Sequence, residues 1–195
     1  MSSVPAKWLD DEEKKPAPEP LRRVQSLINT VDRESGLDRL AAAGDAAPWM
    51  TANGLLGCGD TPTEDDLLTL IEVREGLRAL VLQNTDGQAP EPALVSSLHQ
   101  ITDDERARAV VGEDGAVSLM PVGESLRARL LALLLIVSDA QRDGTWAHLL
   151  ACANDDCQWA FYDRSRNHGG TWCDMATCGN KLKNRDFRAR QRTDR

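Results

Sequence analysis

Apolar positions recur at helical spacing along most of this 195-residue chain, and the pattern breaks where glycine and proline gather. Leu21, Val24, Ile28 and Val31 fall three or four residues apart, which predicts a first amphipathic helix, with order beginning near Pro20. A loop-rich stretch runs from Gly36 to Gly59, broken by a short segment around Trp49 that reads as helical. Thr61-Pro62-Thr63-Glu64 then predicts a helix start, with Thr61 as the cap, proline first in the helix and an acid third. Leu67, Leu70, Ile71, Leu77 and Val81 carry that helix toward Gln83, and Asp86-Gly87 ends it. A shorter helix follows Pro92, using Leu94, Val95 and Leu98.

The one β signal is a hairpin, with residues 107–111 and 116–120 flanking the turn Gly112-Glu113-Asp114-Gly115. The strongest helix spans Gly123 to Arg142. From Leu130 to Val137 it is apolar on most sides, the mark of a helix buried along that whole run. Residues 1–18 contain Asp10-Asp11-Glu12-Glu13-Lys14-Lys15 ahead of Pro16 and Pro18, and read as a disordered leader. No internal repeat is visible. The expected fold class is α+β: a mainly helical N-terminal domain with a β-hairpin over residues 19–148, then a small cysteine-bearing module over 149–195.

Composition supports that division. Five of the eight aromatic residues lie after residue 150, and the earlier part builds its core from Leu, Ala and Val. The longest apolar run, Leu130 to Val137, is far too short for a bilayer span, and the N-terminus shows no basic stretch followed by an apolar one. A soluble, cytoplasmic protein without a signal peptide is expected.

The last forty-five residues change the picture. They hold two matched pairs, Cys152-x4-Cys157 and Cys173-x4-Cys178. Four thiolates around one Zn²⁺ make a closed tetrahedral site that folds a segment too small for its own apolar core. Finger cysteines commonly stand two residues apart, and here four intervene, so the generic spacing is met loosely. Two disulfides would need an oxidising compartment and would leave Cys58 unpaired. A redox centre would want Cys-x-x-Cys, which is absent, whereas an iron–sulfur cluster is chemically compatible with four cysteines. His168 lies between the pairs and could replace a cysteine, but with four thiolates present it reads as a loop residue. One structural Zn²⁺ on Cys152, Cys157, Cys173 and Cys178 is the preferred reading.

Net charge is −8, yet it is unevenly spread. From Ala151 onward nine Lys/Arg face six Asp/Glu, while the first 150 residues carry a net of −11. On a helix turning about 100° per residue, Lys181, Arg185, Arg188, Arg192 and Arg195 fall in one narrow stripe, with Leu182 and Ala189 on another face. A row of cations on an exposed helix matches a phosphate backbone, and arginines there can reach guanine edges. Arg164 and Arg166, between the cysteine pairs, could add contacts. A protein-binding surface or a merely solvated face are the alternatives. Trp159, Phe161, Tyr162 and Trp172 read as the apolar core around the metal in preference to a stacking platform for unpaired bases.

Nothing indicates catalysis. His99, His148 and His168 are scattered, and no phosphate loop, dinucleotide fingerprint, zinc-protease motif or nucleophile elbow is present. Glu64-Asp65-Asp66 is explained as a helix start complementing its dipole.

Cys152-Ala-Asn-Asp-Asp-Cys157, the run from Trp159 to Asn167, and Trp172-Cys-Asp-Met-Ala-Thr-Cys-Gly-Asn-Lys181 closely resemble the bacterial CGNR zinc-finger family. Cys178-Gly179-Asn180 match the naming motif, and Lys181 replaces its arginine, keeping the charge but losing the bidentate fork. The residues from Pro20 to Thr30, and the hairpin before a long helix, resemble the ABATE domain that usually precedes this finger. The resemblance implies a treble-clef finger behind a mixed α+β domain, in stress-linked transcription regulators. DNA is the implied partner, with a small-molecule signal or a protein at the N-terminal domain and no membrane. The alternative is a finger that grips a protein such as RNA polymerase.

Overall fold

The first apolar stripe folds as α1, Arg22–Ile28, which buries Val24, Leu27 and Ile28 completely in the structure, a computed structural model that describes residues 8–185. The helix stops short of Val31, which instead lies in β1, Val31–Asp32, paired antiparallel with β2, Leu37–Asp38. Two side chains explain the early stop. Thr30 Oγ1 donates to the Leu27 carbonyl at 2.9 Å, an alternative to the helical ladder. Asn29 Nδ2 donates to the distant Ala160 carbonyl at 2.8 Å, which fixes the chain where the helix would have continued.

Trp49 lies as expected on a helix, α2, Ala43–Ala52. The long central helix α3 spans Glu64–Asp86, but its cap is Thr63, not Thr61. Thr63 Oγ1 accepts from the Asp66 amide at 3.1 Å, and the Asp66 carboxylate accepts from the Thr63 amide at 2.8 Å. Both threonines have an acid three residues on, Glu64 and Asp66, but it is the Thr63–Asp66 pair that makes the reciprocal bonds, so Pro62 falls outside the helix. Gly87, at φ 75°, closes α3 in the left-handed conformation that other residues resist.

Helix α4, Ser96–Asp104, buries Leu98 and Ile101, whereas Leu94 precedes it and is exposed. The hairpin forms from β3, Ala107–Val111, and β4, Val117–Pro121, with Val111 opposite Val117 and Ala107 opposite Pro121. Helix α5, Leu126–Asp143, is capped by Ser125, whose hydroxyl accepts from the Ala128 amide at 3.0 Å.

Burial along α5 is a broad stripe and does not extend over the whole apolar run. Leu130, Leu131, Leu133 and Val137 are buried, while Leu134 and Ile136 are half-buried against the same core. Leu133→Ala is therefore expected to cost about 2–5 kcal/mol, the range for core truncations that leave a cavity. Leu134→Ala should cost less. Urea unfolding of the two variants checks this, and equal, negligible losses would refute the packing.

Past α5 a 3₁₀ turn, Thr145–His148, leads into β5, Leu149–Ala151, which pairs antiparallel with β6, Ala160–Tyr162. This ladder packs on α3. Asn84 donates to the Trp146 and Leu149 carbonyls, and Thr85 Oγ1 accepts from the Ala151 amide at 2.9 Å. Leu149, Ala151 and Ala160 join the same cluster as Leu70, Leu77 and Leu133, so the hydrophobic core runs through residue 148 without a break.

The acidic leader is another correction. Residues 8–18, read from composition as disordered, lie across the C-terminal module. The Tyr162 amide donates to the Lys15 carbonyl at 2.9 Å, extending the edge of β6, and the Ala17 amide donates to the buried Gln25 side chain. Glu13 accepts from Asn29 Nδ2 at 2.9 Å and from Trp159 Nε1 at 2.8 Å. Charged side chains with fixed partners can order a segment that has little apolar surface to bury. Among the described residues no helix is long and apolar enough to cross a membrane.

Candidate metal centre

Each cysteine pair is placed by its own turn. Cys152 follows β5 directly, and its amide donates to the Trp159 carbonyl at 2.9 Å across the loop. Inside that loop the Cys157 and Gln158 amides both donate to the Asn154 carbonyl, and Gln158 takes a positive φ of 49°. The four intervening residues thus make a tight knuckle that turns both thiols to one side. The second pair straddles a helix start. Cys173 precedes Asp174, whose carboxylate caps the helix by accepting from the Ala176 amide at 2.9 Å. Cys178 lies in a wide π turn, Met175–Gly179, that continues as α-helix over 180–185; the whole segment is α6.

The close approach at Gly179 accounts for the glycine of the Cys-Gly-Asn motif. A Cβ there would lie 3.1 Å from the Trp172 ring and 2.4 Å from Met175 Sδ. Any side chain there would have to displace the Met175 side chain and crowd the Trp172 ring.

The four Sγ atoms lie within 4.8 Å of one another, with Cys157–Cys173 at 3.8 Å and Cys173–Cys178 at 3.7 Å. Zn–S bonds of about 2.3 Å in a tetrahedron place sulfurs about 3.8 Å apart. The donor set therefore fits a zinc ion in size and in chemistry. Crowding also splits the thiols. Hydrogen bonds from Cys157 and Cys173 hold Cys152 down to about 2, while bonding to the Cys152 thiolate pushes Cys157 up to about 12 and raises Cys173 as well. Protons shared among the sulfurs are what a dication replaces, and zinc binding releases them.

Four thiolates and one Zn²⁺ leave a net charge of −2, and cations stand nearby. Lys14 pairs with Asp174, and Lys15 Nζ donates to the Trp172 carbonyl at 2.6 Å. Lys181 Nζ lies 2.5 Å from Glu34, which, with smaller contributions from Cys178 and Cys157, raises the lysine above its ordinary value. Asn154 is buried; its Nδ2 donates to Glu34 at 2.9 Å and lies 3.9 Å from Cys178 Sγ. This outer shell orients the ligands. Glu34, Asn154, Glu13 and Lys14 carry no sequence signal as metal-site residues, except that Asn154 falls inside the first cysteine pair.

The other expected site residues separate into groups. Lys181 and Arg185 are exposed and, with Arg33, line an open cleft of about 750 Å³ beside the first knuckle. Leu182 is buried beneath them, as the helix phase requires. Arg164 and Arg166 are exposed on the loop after β6 and do not line that cleft; Arg164 donates to the Pro16 carbonyl at 3.0 Å and stands over Tyr162. Arg188, Arg192 and Arg195 lie outside the described residues.

Phe161 is wholly buried, and Trp159 and Trp172 are half-buried. They serve as packing around the metal, in keeping with the core reading. His168 is absent from the sulfur cluster and instead stacks on His148 with ring centroids 4.1 Å apart. Cys58 is exposed and apart from the site.

A helical body ahead of a four-cysteine site, built from a knuckle and a helix start, defines a zinc-finger protein. Residues 21–153 match the family model ABATE, described as "Putative stress-induced transcription regulator", and residues 148–191 match that of the CGNR zinc finger. The first match spans more than half of the chain, so the chain belongs to the ABATE family, with a CGNR finger at its C-terminal end. Its four cysteines form the site of one structural zinc. A search of curated proteins finds no match.

Proposed function

We propose that this chain is a DNA-binding transcription regulator without enzymatic activity, acting in the cytoplasm, whose finger docks α6 on the phosphate backbone. The observation that carries the reading is the phase of α6: Leu182 is buried on the module while Lys181 and Arg185 face solvent, at the start of a segment rich in arginine. A zinc-anchored helix start gives those cations a fixed platform. The acidic N-terminal domain would receive a signal or a partner. An open cleft of about 640 Å³ there, between Trp8 and Trp49 and edged by Arg22, Arg23 and Arg39, has the size of a small-molecule site. Glu34 engages Lys181 in the free chain, so DNA binding would have to displace that carboxylate.

The test is the affinity of the zinc-loaded chain for duplex DNA across a salt series. Each phosphate neutralised adds about 0.9 to the slope of log affinity against log salt. Neutralising Lys181 and Arg185 together should lower the magnitude of that slope by about 1.8. Binding that ignores both salt and these substitutions would move the function to a protein partner such as RNA polymerase.

A further inference from the structure

The turn between β1 and β2, residues 33–36, lies in the N-terminal domain by sequence and is fastened to the finger by its side chains. Asp32 shapes it: its carboxylate accepts from the Glu34 amide at 3.1 Å and from the Ser35 hydroxyl. Its carbonyl accepts from the amide of Gly36, at φ 74°, across 2.8 Å. Glu34 then reaches over the cleft beside the first knuckle, taking Asn154 Nδ2 on one oxygen and Lys181 Nζ on the other. Arg33 is thereby held next to α6. Its side chain is exposed and lines that cleft with Lys181 and Arg185. Three acids border the same space, Glu34, Asp155 and Asp156, yet neither Arg33 nor Arg185 makes an ion pair or a hydrogen bond among the described residues. Both forks are turned to solvent. Positive charge is also crowded there: Arg78 bonds to the Gln158 carbonyl of the knuckle, and burial, followed by repulsion from Arg74 and Arg33, lowers it from its ordinary value. An anion beside Arg33 would relieve that repulsion.

We propose that Arg33 is a DNA contact supplied by the N-terminal domain, neutralising a backbone phosphate of the same duplex that Lys181 and Arg185 engage. The nucleic-acid surface is then shared by the two domains. This rests on the DNA-binding reading above and adds to it a residue that lies far from the cysteine motifs in sequence. A planar guanidinium with no carboxylate to satisfy it offers its whole fork to a phosphate. Phosphates follow one another about every 3.4 Å of helix axis on each strand, so cations spread along one side of a cleft can each meet their own. Asp155 and Asp156 repel phosphate on the knuckle side, which leaves the backbone to follow the side formed by the turn and α6. Glu34 makes the arrangement durable. When Lys181 turns to DNA, the carboxylate keeps its bond to the buried Asn154, and the turn that carries Arg33 stays in place. Arg33 therefore needs no rearrangement to bind, whereas Lys181 must first leave its partner.

The test is the affinity of the full zinc-loaded chain for a random-sequence DNA duplex across a salt series, for Arg33→Ala, Arg33→Lys and the double variant Lys181→Ala with Arg185→Ala. Arg33→Ala should lower the magnitude of the log–log slope by about 0.9, which at roughly 0.1 M salt is about an eightfold loss of affinity. Its zinc content and circular dichroism spectrum should be unchanged, because the side chain is exposed and bonds to nothing described. Arg33→Lys keeps the charge and should keep the slope. If Arg33→Ala binds like the native chain while the double variant loses its share of the slope, the contact surface is confined to the finger. The proposal then falls and the DNA-binding reading stands. If Arg33→Lys loses as much slope as Arg33→Ala, Arg33 does not act as a phosphate-neutralising charge, and the proposal falls again. A native chain whose binding ignores salt overturns the DNA-binding reading, and the role of Arg33 with it.

Discussion

Cys173→Ser is expected to abolish stable zinc binding, unfold the C-terminal module and also weaken the helical body. Structural zinc in small modules is worth an apparent 10–16 kcal/mol, about as much as the whole stability of an ordinary domain. Without the ion, thiols brought within 4.8 Å of one another must share protons or repel as thiolates. The module has little else to hold it: Phe161 is its one fully buried aromatic among the described residues. The body suffers because β5 and β6 complete its core. Loss of that ladder exposes the side of α3 that Leu149 and Ala151 cover, and strips Asn29 and Gln25 of their Ala160 partner. The expected result is one zinc per chain in the native protein and none retained in the variant. Thermal unfolding should show a single transition with zinc, and a lower one of reduced amplitude without it. A body whose melting is indifferent to zinc would mean that the two parts fold separately.

The second large effect is expected at Arg78, on α3. Its guanidinium is buried and donates three ways: Nε to Glu75 at 3.0 Å, Nη2 to the Ile28 carbonyl at 2.7 Å, and Nη1 to the Gln158 carbonyl at 2.9 Å. One side chain thus ties α3 to the end of α1 and to the first zinc knuckle. Burial alone would raise the Glu75 carboxyl, but Arg78 and then Arg74 override it and hold the group below its ordinary value. Arg78→Ala leaves two carbonyls unmet and a half-buried carboxylate with Arg74 alone. Breaking such a buried pair costs about 3–5 kcal/mol. Arg78→Lys should recover little, because an ammonium cannot reproduce the planar fork. The urea midpoint measures the stability loss. The rate at which a chelator strips zinc should rise in the same variants, because the knuckle loses its tether. An unchanged zinc off-rate with lowered stability would confine Arg78 to the body.

Much of this was readable one turn at a time. The period of α3 and α5 shows in their leucines, and Asp86-Gly87 marks the end of α3, because those signals act within four residues. The ligand set was equally plain, since thiolate chemistry and paired spacing name a metal without any fold. Local reading slipped where two local candidates competed, as with Thr61 and Thr63: the reciprocal bond from Asp66 chose between them. It failed for Val31, where Asn29 answers to a strand 131 residues away.

The leader shows the limit most clearly. Asp10 to Lys15 has the same composition whether solvated or strapped to a finger, and its partners Trp159, Trp172 and Asp174 lie some 146 to 160 positions along the chain. The pairing of Lys181 with Glu34 spans 147 positions and gives no hint in either segment. Helix phase, caps and metal ligands are properties of neighbouring residues and travel with the chain. Which carboxylate meets which cation, and which arginine is left without one, depends on how the helices close on one another. Those contacts exist only once the core has brought distant segments together.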